Sequence, residues 1–389
     1  MQLSTREKTL FLGSAAFLVW LFGFVTAIER WFPSEYLVRA WQQARAVNPT
    51  DQPVFLHQRF YERWGVRTVS ADRMQAGLTV ITSSWGESGD IQPGMRLIDR
   101  KGNVLHEWRV DPDELFTEVP TGRRVVSDLD IQGSYLFPNG DVLVNLEYAG
   151  TLRLDACGET KWRLLEGGHH SIARAEDGSF WIPGVSSETM TDSPGHPGGF
   201  PGIRRPVYHD RILRISEAGE VLQSIDVLDV LYRNGLQSHL AEERQTSNSD
   251  PTHLNDVEPL PASMADEYPL FEAGDLVVSL RHLDLIFVMD PDSEQIKWHS
   301  SSPHILQHDP DFVGDGWIGI FDNRTDGTAR GTMLGGSRIL AIQPHTDSMT
   351  TLFPASESEP FFTYHRGKWQ QLENGNRLLT EEQTARVVE

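Results

Sequence analysis

Three histidines stand at a shared distance from a glycine turn. In "GGHHSIARAEDG" His170 lies eight residues before Gly178, and in "LQHDPDFVGDG" His308 lies eight before Gly316. In "PTHLNDVEPLP" His253 holds the corresponding position once the insertion "ASMADEYPL" ahead of Gly274 is allowed for. The same step lands on Gln132 in one further unit and on Gly367 in another, with His365 close to the latter. An imidazole can serve as nucleophile, base or acid near neutral pH. A little further along, "VVSLRHLD" supplies Arg281 and His282, and a guanidinium recognises planar or tetrahedral oxyanions through its forked donors. The chemistry suggested is work on an oxyanion, with metal binding as the competing idea, since three His with an acid resemble a zinc or iron site.

The elements that would gather these side chains are visible as two alternating repeats. One is a glycine turn followed by a β-rich run, as in "FPNGDVLV", "AEDGSFWI", "FEAGDLVV", "VGDGWIGIF" and "LENGNRLL"; the other is strand, turn and strand, often ending in Trp, as in "LIDRKGNVLHEW" and "LRLDACGETKW". Asn-Gly and Asp-Gly are hairpin chemistry. Together the two repeats make four-stranded antiparallel units in series, which predicts an all-β, six-bladed β-propeller over residues 77–389. His170, His253 and His308 then begin the innermost strands of their blades. A second strand runs back antiparallel to the first, so its end returns to the level where the first began. That brings Arg281 and His282 up to His253, with Glu147, Tyr148, Asp322, Asn323 and Glu381 at equivalent ends. Long insertions at 186–208 and 229–252 read as lids or disordered excursions. Trp181, Phe200, Tyr208, Trp317 and Tyr364 are candidates to sandwich an aromatic ring.

Composition bounds the partners. The 34 Lys+Arg against 55 Asp+Glu give a net charge of -21, which repels polyanions, so no nucleic acid is expected. The single Cys157 excludes an internal disulfide framework and any multi-thiolate metal site. Residues 9–28 carry no charge, and about 20 such residues cross a hydrocarbon core. They are read as a single-pass transmembrane helix in a membrane anchor over 1–30, with a signal peptide cleaved near "VTA" at 25–27 as the rival reading. Arg6 and Lys8 before it place the remainder outside the cytoplasm, in the periplasm of an inner-membrane protein. Residues 31–76 are read as a short helical connector.

The quoted stretches carry a resemblance. "HHSI" at 169–172, "HLNDV" at 253–257, "SLRHLDLIFVMD" at 279–290, "QHD" at 307–309 and "IFDNR" at 320–324 resemble the aryl-sulfate sulfotransferase family over residues 77–389. In that family a six-bladed propeller moves a sulfuryl group from an aryl sulfate to a phenol without a nucleotide donor. The resemblance implies that His308 is the nucleophile that becomes transiently sulfated. It implies that His253 and Arg281 contact the sulfuryl oxygens, and that His170 or its neighbour His169 completes the catalytic set. Asn255, His282, Asn323 and His365 are expected to line the substrate pocket. Asn255 and Asp256 are also candidates to hold the His253 tautomer. Sulfuryl transfer should resemble phosphoryl transfer, with a loose transition state stabilised by positioned positive groups, so no cofactor and no metal is expected. Two other classes stay open: a binding or scaffold propeller without turnover, and a metal-dependent hydrolase or oxidoreductase. The oligomeric state is not legible.

Overall fold

The computed structural model describes residues 5–28, 63–85, 92–111, 130–203, 205–240, 249–355 and 358–389. The chain divides into two compact units, Met1–Pro53 with Val125–Ser127, and Val54–Arg124 with Asp128–Glu389.

In the first unit the described element is helix α1, Thr5–Ile28. Its apolar side chains, including Leu10, Phe11, Val19, Trp20 and Phe22, are exposed. Among the described residues no helix is long and apolar enough to cross a membrane, so the transmembrane expectation for 9–28 is not supported. Most of the expected connector lies outside the described residues. Its described part, 63–76, forms turns and no helix.

The second unit is a six-bladed β-propeller. Blade one holds β1 (Thr79–Trp85), β2 (Gln92–Ile98) and β3 (Val104–Arg109). Blade two holds β4 (Ile131–Leu136), β5 (Val142–Leu146), β6 (Gly150–Leu154) and β7 (Thr160–Leu164). Blade three holds β8 (Ala173–Arg174), β9 (Phe180–Val185), β10 (Asp210–Ile215) and β11 (Val221–Asp226). Blade four holds β12 (Leu254–Pro259), β13 (Leu276–Leu280), β14 (Leu285–Met289) and β15 (Ile296–Ser300). Blade five holds β16 (His308–Phe312), β17 (Ile318–Asp322), β18 (Arg338–Gln343) and β19 (Ser348–Phe353). Blade six holds β20 (Trp369–Gln371), β21 (Arg377–Glu381) and β22 (Arg386–Val388).

The hairpins fall where the glycines predict. Gly140 turns β4 into β5 with φ +87, a conformation that costs an L-residue bearing a Cβ. A Cβ there would also meet Ala156 Cβ at 2.9 Å. Middle strands such as β5, β13, β14 and β17 are buried along their whole length, because each blade is packed on both faces. In β13, Leu276, Val278 and Leu280 join the core shared with blade three, while Val277 joins the core shared with blade five. This is period-two alternation between two buried faces.

Among the described residues blades one and six have three strands each, and the segment before β1 ties them together. Arg73 O accepts from Asn374 and Asn376 Nδ2 at 3.1 and 2.7 Å, Gln75 N donates to Glu389 Oε1 at 2.6 Å, and Arg100 donates to Ala71 O at 2.6 Å. The described residues of the insertion at 186–208, namely 186–203 and 205–208, pack back onto the blade; of the insertion at 229–252, residues 241–248 lie outside the described ones. Met190 and Val207 pair as an antiparallel bridge. Ser193 Oγ and His196 Nδ1 bond to Asp229 Oδ1 at 2.7 and 2.6 Å. Asp229 belongs to helix α2 (Val227–Arg233), capped by the Asp226 side chain.

Candidate active site

Loops at one end of the blades carry the expected imidazoles. His308 opens β16, His253 directly precedes β12, and His170 stands three residues before β8. The inner strands of blades two, four and five each begin with a register shift, at Ile131/Gly133, Leu254/Asp256 and His308/Asp311. Such bulges re-aim side chains at strand starts. Tyr148, His170 and His253 share a left-handed φ of +52, which non-glycine residues seldom adopt and which concentrates at functional sites. Close packing holds them there: a Cβ on Gly133 would lie 1.9 Å from His170 O. Asn145 Nδ2 is shared among the carbonyls of His169, His170 and Ser171 at 3.1, 3.3 and 2.9 Å.

The second-strand ends return as expected. Arg281 N donates to His253 O at 3.0 Å, and His282 N to Thr252 O at 3.2 Å. The ring centroids of His170 and His253 are 5.1 Å apart, those of His170 and His308 6.2 Å apart, and His282 stacks on His253 at 4.4 Å.

Each ring is held by its Nδ1. Asn323 donates its amide to Thr363 O and Arg366 O at 3.1 and 2.7 Å, which fixes its Oδ1 as the acceptor facing His308 Nδ1 at 2.7 Å. His308 Nδ1 therefore carries the proton and Nε2 keeps its lone pair. Burial pushes the His308 pKa well below the ordinary imidazole value, aided by the Arg281 charge, so the ring is neutral at pH 7. His170 is likewise pushed well down, by burial and then by the neighbouring imidazoles of His169, His253 and His308. His253 Nδ1 donates to Asp250 Oδ2 at 2.8 Å, and His282 Nδ1 to Asp250 O at 2.9 Å. His282 falls to about 4, through burial and the His253 charge.

Arg281 is the charge among these rings. Its Nε finds no hydrogen-bond partner among the described residues. Burial lowers its pKa, and Tyr148, Tyr364, Asp250 and Asp284 offset only part of that. A buried cation without close compensation favours an anion beside it. A neutral imidazole nucleophile next to it can attack such an anion without charge repulsion.

Among the described residues, one group offers converging metal-ligand atoms: Asp250, His253 and His282, with one atom from each lying within 4.8 Å of the others. Among the described residues, His170, His253 and His308 do not converge in this way.

Several expected residues take other places. His169 is fully buried beside His170, its Nδ1 2.7 Å from His170 Nδ1, a contact that orients its neighbour. Asn255 is also buried and donates to Gln307 O at 2.7 Å; Asp250, not Asn255 or Asp256, holds His253. Asn323 orients His308 from behind. His365 lies near enough to influence the His308 charge state and pairs edge-on with Tyr364 at 4.6 Å. Trp181 and Phe200 are core residues, whereas Tyr364 is exposed. Sequence reasoning missed Asp250, Asn145 and Gln307. Gln307 Nε2 donates to Ser279 Oγ, Leu280 O and Leu285 O at 3.0, 3.3 and 3.2 Å, fixing the strand that starts at His308.

The second unit is thus a propeller that gathers imidazoles and a guanidinium at one loop end. Residues 131–389 match the arylsulfotransferase (ASST) family, and the chain belongs to it. Membership supports aryl sulfotransfer in broad terms. No curated protein matches the chain. Among solved structures, hydrazine synthase of Kuenenia stuttgartiensis is 13% identical over 76% of this chain and 68% of that one, with a TM-score of 0.41. A streptogramin B lyase is 12% identical over 78% and 80%, with a TM-score of 0.40. Virginiamycin B lyase from Staphylococcus aureus is 12% identical over 68% of this chain, with a TM-score of 0.37, and this chain spans 65% of its length. No activity is transferred from these three.

Proposed function

We propose that the protein moves a sulfuryl group from an aryl sulfate to a phenol by way of a sulfohistidine on His308. One observation carries the reading: the bare Nε2 of a neutral His308 lies within the field of a guanidinium that has no compensating partner at Nε. His308 Nε2 attacks sulfur, the S–O(aryl) bond breaks, and the phenolate leaves with a proton from His253. The Asp250 carboxylate offsets positive charge on that ring. The acceptor phenol then gives its proton back to His253, its oxygen attacks sulfur, and the N–S bond breaks to restore His308. Arg281 and His170 hold the sulfuryl oxygens as charge redistributes. A sulfate monoester bears one negative charge, so one guanidinium with imidazole donors matches it.

The test is turnover of a chromogenic aryl sulfate with and without added phenol. Release that requires phenol, together with sulfate recovered on the acceptor, supports transfer; release that ignores phenol would make the protein a hydrolase. The exposed apolar residues of α1 support a second part of the proposal: α1 attaches the protein to the inner membrane, with the propeller on the periplasmic side. Release into the soluble fraction by high salt alone, or protection of the propeller from protease in spheroplasts, would refute that placement.

A further inference from the structure

We propose that Asp250, His253 and His282 form a binding site for a divalent transition metal of the Zn2+ class, and that filling it switches the pocket off. The three residues come from two chain segments. Asp250 and His253 lie on the approach to β12, and His282 lies in the turn after β13. The backbone bonds Arg281 N to His253 O and His282 N to Thr252 O clamp the segments together, so the spacing of the donor groups is set by the fold. One ligand atom from each lies within 4.8 Å of the others. Two imidazoles and one carboxylate are a donor set that suits Zn2+ and its neighbours rather than Mg2+ or Ca2+. The His282 ring is already oriented by its bond to Asp250 O at 2.9 Å, the kind of outer support that metal-binding imidazoles use. Arg281 opposes a cation here, and the Asp250 carboxylate offsets that opposition.

Binding takes a lone pair from His253 and the carboxylate of Asp250 and releases to solvent the proton they share. With Nδ1 on the metal, His253 keeps only its Nε2 proton and can give it up only as an imidazolate, so it becomes a far weaker acid toward a leaving phenolate than an imidazolium held by Asp250. The binding stands apart from the sulfuryl-transfer reading; the inhibition rests on it.

The experiment is calorimetric titration of the full chain, carrying no affinity tag, with ZnCl2. One equivalent should bind, with affinity reduced at least about tenfold in His282→Gln and in Asp250→Asn and retained in His308→Ala. The absence of saturable binding, or equal affinity in wild type and both variants, would overturn the site. Should the two variants fail to fold, pulsed electron spin resonance of Cu2+-loaded wild type decides: two coordinated imidazoles support the site, and one or none overturns it. Aryl sulfate turnover should fall as Zn2+ fills the site and recover with chelator; undiminished turnover at saturation would overturn the inhibition. A protein inactive on aryl sulfates that still binds Zn2+ at these residues would sink the proposed reaction and leave the metal site standing.

Discussion

Two polar regions follow one another along the same inner strands, and they handle charge in opposite ways. Just past His253 and His308, β12 and β16 present Asp256, Glu258, Asp309 and Asp311. Burial raises Asp256 and Asp311 and pushes Glu258 up to about 7. Asp309, Asp311, Asp256 and Glu258 together raise Lys368, whose side chain is more than half exposed, well above its ordinary value. That band settles its charge internally, by pairing and by protonation. Arg366, on the loop side, is settled too: Asp130, Glu147 and Glu382 surround it and raise it despite burial. Arg281 differs, because its pKa falls. Around Arg366 the fold supplies the acids; at Arg281 Asp250 and Asp284 offset burial only in part, and on the proposed function the rest of the negative charge comes from the substrate.

The largest effect expected is at the nucleophile. His308→Ala should reduce aryl sulfate turnover at least ~10^3-fold with the circular dichroism spectrum unchanged. A loss below about tenfold would remove the covalent step from the reaction. Next is Arg281→Ala, for which kcat/KM should drop about 10^2–10^3-fold.

The same comparison makes a sharper stability test. Arg366→Met strands three carboxylates around a lost partner and should cost about 3–5 kcal/mol in urea unfolding. Arg281→Met removes a charge that the fold does not compensate and should be neutral or stabilising. Equal destabilisation by both would erase the distinction between the two arginines.

How much of this the amino-acid sequence reveals follows from how local each feature is. The blades and the levels of His170, His253 and His308 are legible because glycine turns and antiparallel returns are local rules with fixed spacing. The partners of a charge are not local: Asp130 meets Arg366 across 236 positions, so no spacing rule shows which arginine is compensated. Asn255 is misread for another reason. By alternation it should point the same way as His253, but the register shift at Leu254/Asp256 turns it toward Gln307. The choice between His169 and His170 is not legible because two adjacent histidines look equivalent, although only one of them, His170, packs against His253 and His308. Asp250 had a usable signal: in "DPTH" its Oδ1 accepts from His253 N three residues on, at 3.1 Å, the local turn habit of an aspartate.

A smaller effect tests the tautomer. Asn323→Ala removes the acceptor that holds the His308 proton on Nδ1, and kcat should fall roughly 10^2-fold while KM for the donor stays near its wild-type value. A change confined to KM would mean that Asn323 contacts substrate instead.

The pH dependence separates the two regions once more. Neutral His308 and His170 are favoured by the fold, with pKa values depressed below the unfolded value of about 6.5. As pH falls below about 6.5 the unfolded chain takes up protons before the folded one, so the stability contributed by these rings is complete above that value and is lost toward acid. Glu258 and Glu382, pushed up to about 7 by burial, act with the opposite sign: their protonated forms are favoured, and stability falls as pH rises from about 4.5 through 7. Only the imidazole change reaches the chemistry, because the carboxylate band settles its charge internally. The acid limb of kcat/KM should therefore lie below pH 6.5. Asn323→Asp should move that limb upward, since a carboxylate on Nδ1 favours the imidazolium, whereas Glu258→Gln should leave it in place and change only the pH dependence of unfolding. An acid limb that moves with Glu258→Gln would mean that the two regions titrate as one system.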